Sequence, residues 1–377
     1  MCILCQRYNN PSYQPDVTNL NINFCKEIRR LSIENPFIDR ELIDGEKDIQ
    51  SNDPTNSLTD SLTRDLDFLS QIQSLNCRHT LLTTLPLMPS IQNINMNHTI
   101  IQTIYPYYNL KILDCSYSKL SSIPQMNNLS SLDCSNTSID RLPYLPYLTS
   151  LDCSSTNITE LPTYPSLTSL RCFNTNVSQL PKLNNLSTLK IAYSPIKKIN
   201  QFPSLHTLHI SHCPVEELSD YPMMQSLYLD NVKIQSLGYF PLIQHLSIYN
   251  TPIKSIIPSD TLQDISLEKI PISEFIVRSL SHLYFIWINK CPIHRIIIKN
   301  GPSRVYINNC SILTEFHSNT EPSITNCRWL IANQYDLYML KNAQRISRRW
   351  YRRRSLNKVL LMRKYIHRHI VNIIIRM

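Results

Sequence analysis

The sequence predicts a β-rich solenoid, and three observations predict it. First, an apolar residue returns every 19 residues through Leu113, Leu132, Leu151, Leu170, Leu189, Leu208, Leu227, Leu246 and Ile265. The series extends back to Ile94 and Leu75. A 21-residue step leads on to Ile286 and 19 more to Val305, giving thirteen units from about residue 72 to 316. A fixed period near 20 marks stacked repeats. Second, positions 4 and 6 of each unit are apolar beside polar neighbours, as in Leu132-Asp133-Cys134. That is the period of a strand with one buried face. Third, the rest of a unit, such as "RLPYLPY" at 141–147, is too short and too rich in proline for an ordinary helix. One unit alone cannot hide its Leu and Ile side chains. Stacking sets the strands about 4.8 Å apart in a parallel sheet.

The chain divides in order. Residues 1–59 are expected to be partly disordered, because "DGEKDIQSNDPTNSLTD" at 44–60 is polar and acidic. Residues 60–71 carry Leu62, Leu66, Phe68 and Leu69 at near-helical spacing, which predicts a helical cap on the first unit. The solenoid follows over 72–316, with a mostly non-helical outer face. Trp329, Leu330 and Ile331 point to a C-terminal cap over 317–340. Residues 341–377 contain no Gly or Pro, and Val359, Met362, Ile366, Ile370 and Ile373 recur at three and four residues, predicting an amphipathic helix.

The unit reads LxxLxCxxTxIxxLPxxPx. It resembles the leucine-rich repeat, LxxLxLxxNxL, and most of all the short bacterial type with LPxLP returns. The wording, poor in Gly and rich in Asn, Ile and Tyr, also resembles leucine-rich repeat proteins of giant amoeba viruses (mimivirus-like). The resemblance implies an arc with a parallel inner sheet. It departs at position 9, where the family usually has Asn. Here that position holds Thr80, Thr99, Ser118, Thr137, Thr156, Thr175, Ser194, Cys213, Val232, Thr251, Ile270, Cys291 and Cys310. Val232 and Ile270 cannot hydrogen-bond, so the ladder is expected to loosen there.

Composition excludes several functions. The three glycines, Gly45, Gly238 and Gly301, are far apart, so no phosphate-binding glycine loop and no GxSxG turn exists. Some bacterial repeat proteins of this type carry a cysteine ubiquitin ligase domain downstream. The residues after 316 contain no Cys-x-Asp, so that activity is not expected. The start of the chain lacks a signal-peptide pattern and no run of about 20 apolar residues occurs, so an intracellular, cytoplasmic protein is expected. Five of the 12 cysteines, Cys77, Cys115, Cys134, Cys153 and Cys172, share position 6, which makes them small apolar core residues. His206, His209, His212 and Cys213 are metal-ligating types, but Cys213 points inward and His206 lies off the column. Cys2 and Cys5 make a lone CxxC. No catalytic residue, metal site or cofactor is expected.

Positions 3, 5, 7 and 8 are expected to face outward on the concave side, where solenoids commonly bind partners. Position 5 runs Asn76, Asn95, Asp114, Asp133, Asp152, Arg171, Lys190, His209, Tyr228, Ser247, Ser266, Trp287, Tyr306. Adjacent carboxylates repel by roughly 1 kcal/mol in water, which folding alone does not call for. With the neighbouring aromatics this defines a candidate protein-binding face: Asp114, Asp133, Asp152, Arg171, Phe173, Lys190, Tyr193, His209, Tyr228 and Tyr249. Ser116, Ser135 and Ser154 are read as inert.

The net charge is +9, and residues 341–377 hold 12 Lys or Arg with no Asp or Glu. Taking those twelve away leaves the remainder at −3. The basic tail, with Arg348, Arg349, Arg352, Arg353 and Arg354, has three readings. It is a packing helix with a solvated face, a binder of nucleic acid or an anionic membrane surface, or a segment docking on an acidic protein. "AQRISRRWYRRR" partly resembles a calmodulin-binding IQ motif through Gln344, Arg348 and Arg353, but departs from it at Ala343 and Arg349. The resulting expectation is a non-enzymatic protein-binding scaffold, the alternative being binding through this tail.

Overall fold

The computed structural model describes residues 19–21, 69–277, 280, 282–298, 304–318 and 323–327. Three-residue strands come first: β1 (Asn19–Asn21), then β2 to β6 (Ser74–Asn76, Asn93–Asn95, Ile112–Asp114, Ser131–Asp133, Ser150–Asp152). Five-residue strands follow, β7 to β12 (Ser169–Phe173, Thr188–Ala192, Thr207–Ser211, Ser226–Asp230, His245–Tyr249, Asp264–Glu268). The last units alternate between two sheets: β13 (Glu274–Val277), β14 (Phe285–Asn289), β15 (Arg295–Ile298), β16 (Arg304–Asn308), β17 (Glu315–Ser318) and β18 (Ser323–Thr325). Fifteen strands form one parallel sheet in chain order, and β13, β15 and β17 form a second of three strands.

The position 4 residues pair with each other throughout, Leu113 with Leu132 and Leu132 with Leu151, and the 21-residue step pairs Ile265 with Ile286. Positions 4, 6, 11 and 14 fill a single core, with Leu132, Cys134, Ile139 and Leu142 as one unit's share. Each buried Leu or Ile contributes roughly 1.5–3 kcal/mol by leaving water. Three units, set three apart, close the core at position 17 with tyrosine. Tyr107, Tyr164 and Tyr221 are buried and donate to the carbonyls of Pro86, Pro143 and Asn200 at 2.9, 3.2 and 3.0 Å.

Strand length changes at position 5. In β2 to β6 that residue is Asn or Asp, and its Oδ1 accepts the N–H of position 7: Ser116 on Asp114 at 3.1 Å, Ser135 on Asp133 and Ser154 on Asp152 at 3.0 Å. This local bond turns the chain out of the strand after three residues. From Arg171 to Tyr306 position 5 offers no carboxylate or amide acceptor, and the strands of the large sheet that carry it run five residues.

Position 9 completes the turn in the short-strand units. Thr80, Thr137 and Thr156 donate Oγ1 to the position 6 carbonyls of Cys77, Cys134 and Cys153, each at 2.7 Å. The expected loosening at Val232 and Ile270 does not occur. Both are buried, 4% and 0% exposed, beside strands paired over all five residues. There the paired strand runs on through position 7, and the apolar position 9 joins the core. Thr251, in a long-strand unit, has a buried hydroxyl without a partner.

Position 8 adopts positive φ, from His79 at 57° to Asn326 at 51°. No glycine serves these left-handed turns. Asn, which tolerates that conformation, takes six of the fourteen. The cysteine column is buried, and its thiols donate to the next strand: Cys115 to the Asp133 carbonyl at 3.3 Å and Cys134 to that of Asp152 at 3.4 Å. Burial pushes the Cys77 thiol up to about 12, so it stays protonated and apolar.

Other differences from the sequence reading lie at the ends. Asn19–Asn21, within the stretch expected to be partly disordered, pairs in parallel with Ser74–Asn76. Residues 69–71 are helical, with Leu69 and Ile72 buried, while 60–68 of the expected helical cap lie outside the described residues. The sheet runs on past 316 to β18, where Ile307 pairs with Ile324. The three-stranded sheet was not foreseen. It forms where the proline column stops and "EFIV" and "RIII" supply β-branched residues with alternate burial. The rest of the C-terminal cap and the basic tail, with Arg348, Arg349, Arg352, Arg353 and Arg354, lie outside the described residues. No helix among those described is long and apolar enough to cross a membrane.

The two kinds of unit differ in what position 9 does. Thr156→Val leaves the buried Cys153 carbonyl without its donor and is expected to lower stability by about 1 kcal/mol. Thr251→Val removes an unsatisfied hydroxyl and is expected to be neutral or stabilising. Thermal melts of the two variants beside the wild type check this contrast.

Candidate binding face

The face of the large sheet that points away from the core carries position 5 as one continuous column. Register pairs Asp114 with Asp133, Asp133 with Asp152, Asp152 with Arg171, Arg171 with Lys190, Lys190 with His209 and His209 with Tyr228. All of these except Arg171 are half-buried.

The aspartates serve folding as well as surface charge, contrary to the sequence reading. Their Oδ1 atoms hold the position 7 amides. The outer oxygens divide: Asp114 Oδ2 accepts from Asn97 Nδ2 at 3.0 Å, and Asp152 Oδ2 meets Arg171 Nη1 at 3.4 Å. Desolvation raises the Asp133 pKa, with Asp152 and Asp114 adding repulsion against the bonds from Ser135. The position 7 serines are not an outward flank. Ser116, Ser135 and Ser154 are buried, because the chain has already turned under the aspartate bond.

The second half of the column is a strip of rings. Arg171 Cζ lies 5.7 Å from the centre of the Phe173 ring. From Phe173 the centroid distances run 6.1 Å to His209, 4.1 Å to Tyr228, 5.3 Å to Tyr249 and 6.1 Å to Trp287. Tyr249 sits at position 7, yet it reaches Trp287 two strands on. The small Ser247 and Ser266 at position 5 leave room for it to lean across. Trp287 was therefore missing from the sequence-derived site, although two serines between Tyr228 and Trp287 are a readable sign of a gap.

Tyr193 does not join this strip. It follows the end of β8 in a left-handed turn, is 60% exposed, and stacks on His212 at 4.5 Å. The same rim carries a second stack in which His98 lies between His79 and Tyr117, 4.4 Å from each. The three histidines near the charge switch go separate ways: His209 to Tyr228, His212 to Tyr193, and His245 to the Asp264 carboxylate. Asp264 also accepts from the Tyr284 hydroxyl at 3.4 Å.

Burial lowers the His209 pKa below its usual 6.5. Lys190 and Arg171 add to the effect and Asp230 opposes it.

No protein-family model and no curated protein matches the chain. Solved structures do match. YopM from Yersinia enterocolitica is 20% identical, over 69% of this chain and 64% of that one, with a TM-score of 0.59. The functional domain of InlJ from Listeria monocytogenes, described as including a cysteine ladder, is 19% identical over 68% and 60%, with a TM-score of 0.54. A leucine-rich repeat protein of Leptospira interrogans is 16% identical over 85% and 95%, with a TM-score of 0.53. The chain thus spans less than two thirds of the first two. These likenesses define the fold: a leucine-rich-repeat solenoid.

The His209 shift fixes a sign. Its folded pKa lies below 6.5, so in the window between the two values the unfolded chain binds more protons. Stability is therefore expected to fall as pH drops from about 6.5 through the folded pKa, and to level off below it. His209→Gln is expected to remove that part of the slope. Denaturant midpoints across pH 5 to 7.5, roughly the span in which histidine titrates, provide the check.

Proposed function

We propose that the chain is a non-enzymatic scaffold that binds protein on the open face of its large sheet. Asp114, Asp133, Asp152, Arg171, Lys190, His209, Tyr228 and Tyr249 form the contact column, Phe173 and Trp287 extend it, and Tyr193 stands at its rim. What carries the reading is the strip of half-buried rings from Phe173 to Trp287, held on five of seven neighbouring strands whose backbone is already ordered. Tyr and Trp are enriched where proteins bind one another. A preformed sheet loses little conformational entropy on binding, so shallow contacts suffice.

The aspartates give a clean test of the face. Reversing their charge would also break the amide bonds of Ser135 and Ser154. Asp133→Asn keeps an oxygen acceptor for the Ser135 amide and, unlike Asp152→Asn, breaks no ion pair. Wild type and variant, used as bait in the same cell extract, are expected to melt alike, while the variant loses a captured protein by about tenfold. Equal capture by both would remove the acidic half of the column from the site.

A further inference from the structure

The open face changes character along its length, and its second half states what it would accept. Arg171 and Lys190 are direct register partners on β7 and β8, a like-charge pairing that destabilises a sheet. Asp152 relieves Arg171 at 3.4 Å. Among the described residues, no carboxylate lies within ion-pair distance of Lys190. The next register partner is His209, whose neutral form gives no relief. Within the described residues, one end of the ring strip is thus an unpaired cation, half-buried and held on a strand. Beyond it run Tyr228, Tyr249 and Trp287.

The carboxylates along the rest of the strip are mostly met. Asp264 faces His245, Glu268 lies 3.9 Å from Lys290, and Asp230 accepts from Asn250 at 3.0 Å. Each of these carboxylates has a partner among the described residues, whereas Lys190 has no ion pair there. The strip therefore calls for an anion at β7 and β8, and its rings call for apolar surface from β10 to β14.

Single-stranded nucleic acid fits less well, for two reasons. A base entering between two rings needs them about 7 Å apart, twice the carbon contact distance. The spacings here are 4.1 to 6.1 Å, already closed ring on ring. A phosphate backbone also needs cations along its whole path. Past Lys190 this path is lined instead by Asp230, Asp264 and Glu268.

We propose that the strip receives an extended protein segment with acidic residues at one end, seated on Lys190 and Arg171, and apolar or aromatic residues over the rest, laid along Tyr228, Tyr249 and Trp287. The strip crosses seven strands from β7 to β14, roughly 29 Å at the usual strand spacing. An extended chain covers that in about nine residues. The inference rests on the scaffold reading and gives its partner a chemistry and a direction.

The test uses the full chain and a dye-labelled nine-residue peptide, blocked at both ends, with two glutamates followed by leucine and phenylalanine. Fluorescence anisotropy reads binding. A peptide with the glutamates moved to the centre, a lysine-rich peptide and a single-stranded oligothymidylate serve as the other arms. The end-acidic peptide is expected to bind best, and Lys190→Glu to weaken it by about tenfold or more. Lys182→Glu, an equal charge reversal at an exposed residue of the return segment between β7 and β8, is expected to leave it unchanged. If Lys190→Glu unfolds the chain, Lys190→Met serves instead, with a smaller loss expected. Several outcomes overturn the inference: equal binding by wild type and the Lys190 variant, equal binding of the rearranged peptide, or tighter binding of the oligonucleotide. A lysine-rich peptide that binds alone, and is lost with Asp133→Asn, overturns it while leaving the scaffold reading intact. Binding by no peptide at all overturns the inference and leaves the scaffold reading to the capture experiment.

Discussion

Parallel pairing of each position 4 residue with its counterparts in the units before and after constrains everything else in this molecule. Leu132 is hidden only because Leu113 and Leu151 flank it at the same height. No unit can shift by one residue without turning its Leu and Cys outward and its Asp inward. The same constraint builds the open face, since residues that share a position in the unit must share a column. Core and surface are two readings of one register.

Within that register the array has two regimes, set by one residue per unit. Asn or Asp at position 5 binds its own position 7 amide, ends the strand early and makes the hydroxyl at position 9 necessary. Other residues at position 5 let the strand run on, and Val232, Ile270 or a thiol can then stand at position 9. Acidic column and short strands are therefore one feature, as are long strands and rings. The ring strip needs the longer strands because Phe173 and Tyr249 are their last residues.

The core was legible in the sequence because burial repeats with the period. Leucine at position 4, cysteine at position 6 and isoleucine at position 11 say the same thing in unit after unit, and the charge sequence down position 5 reads off directly. What escaped depends on a single side chain reaching beyond its own position. The bond from the Asp133 carboxylate to Ser135 is local, yet invisible to a pattern of polar and apolar letters. So is the lean of Tyr249 over Ser247 and Ser266. The left-handed turn at position 8 was hidden because glycine, its usual sign, is absent there. The strand at Asn19–Asn21 stands far from the array in sequence and carries no period. The second sheet was obscured because "RIII" reads as core before it reads as strand.

The central claim is that in-register stacking of equivalent strands, and not any particular unit, holds the fold. Deleting residues 148–166 removes one whole unit and is expected to leave a cooperative melt and the strand signature in circular dichroism. Deleting only 158–166 removes the return and leaves seven residues between β6 and β7, where parallel strands need about a dozen to connect, so Leu151 and Leu170 cannot pair and the melt should collapse. Similar melting of the two deletions, or loss of structure in both, would contradict the account.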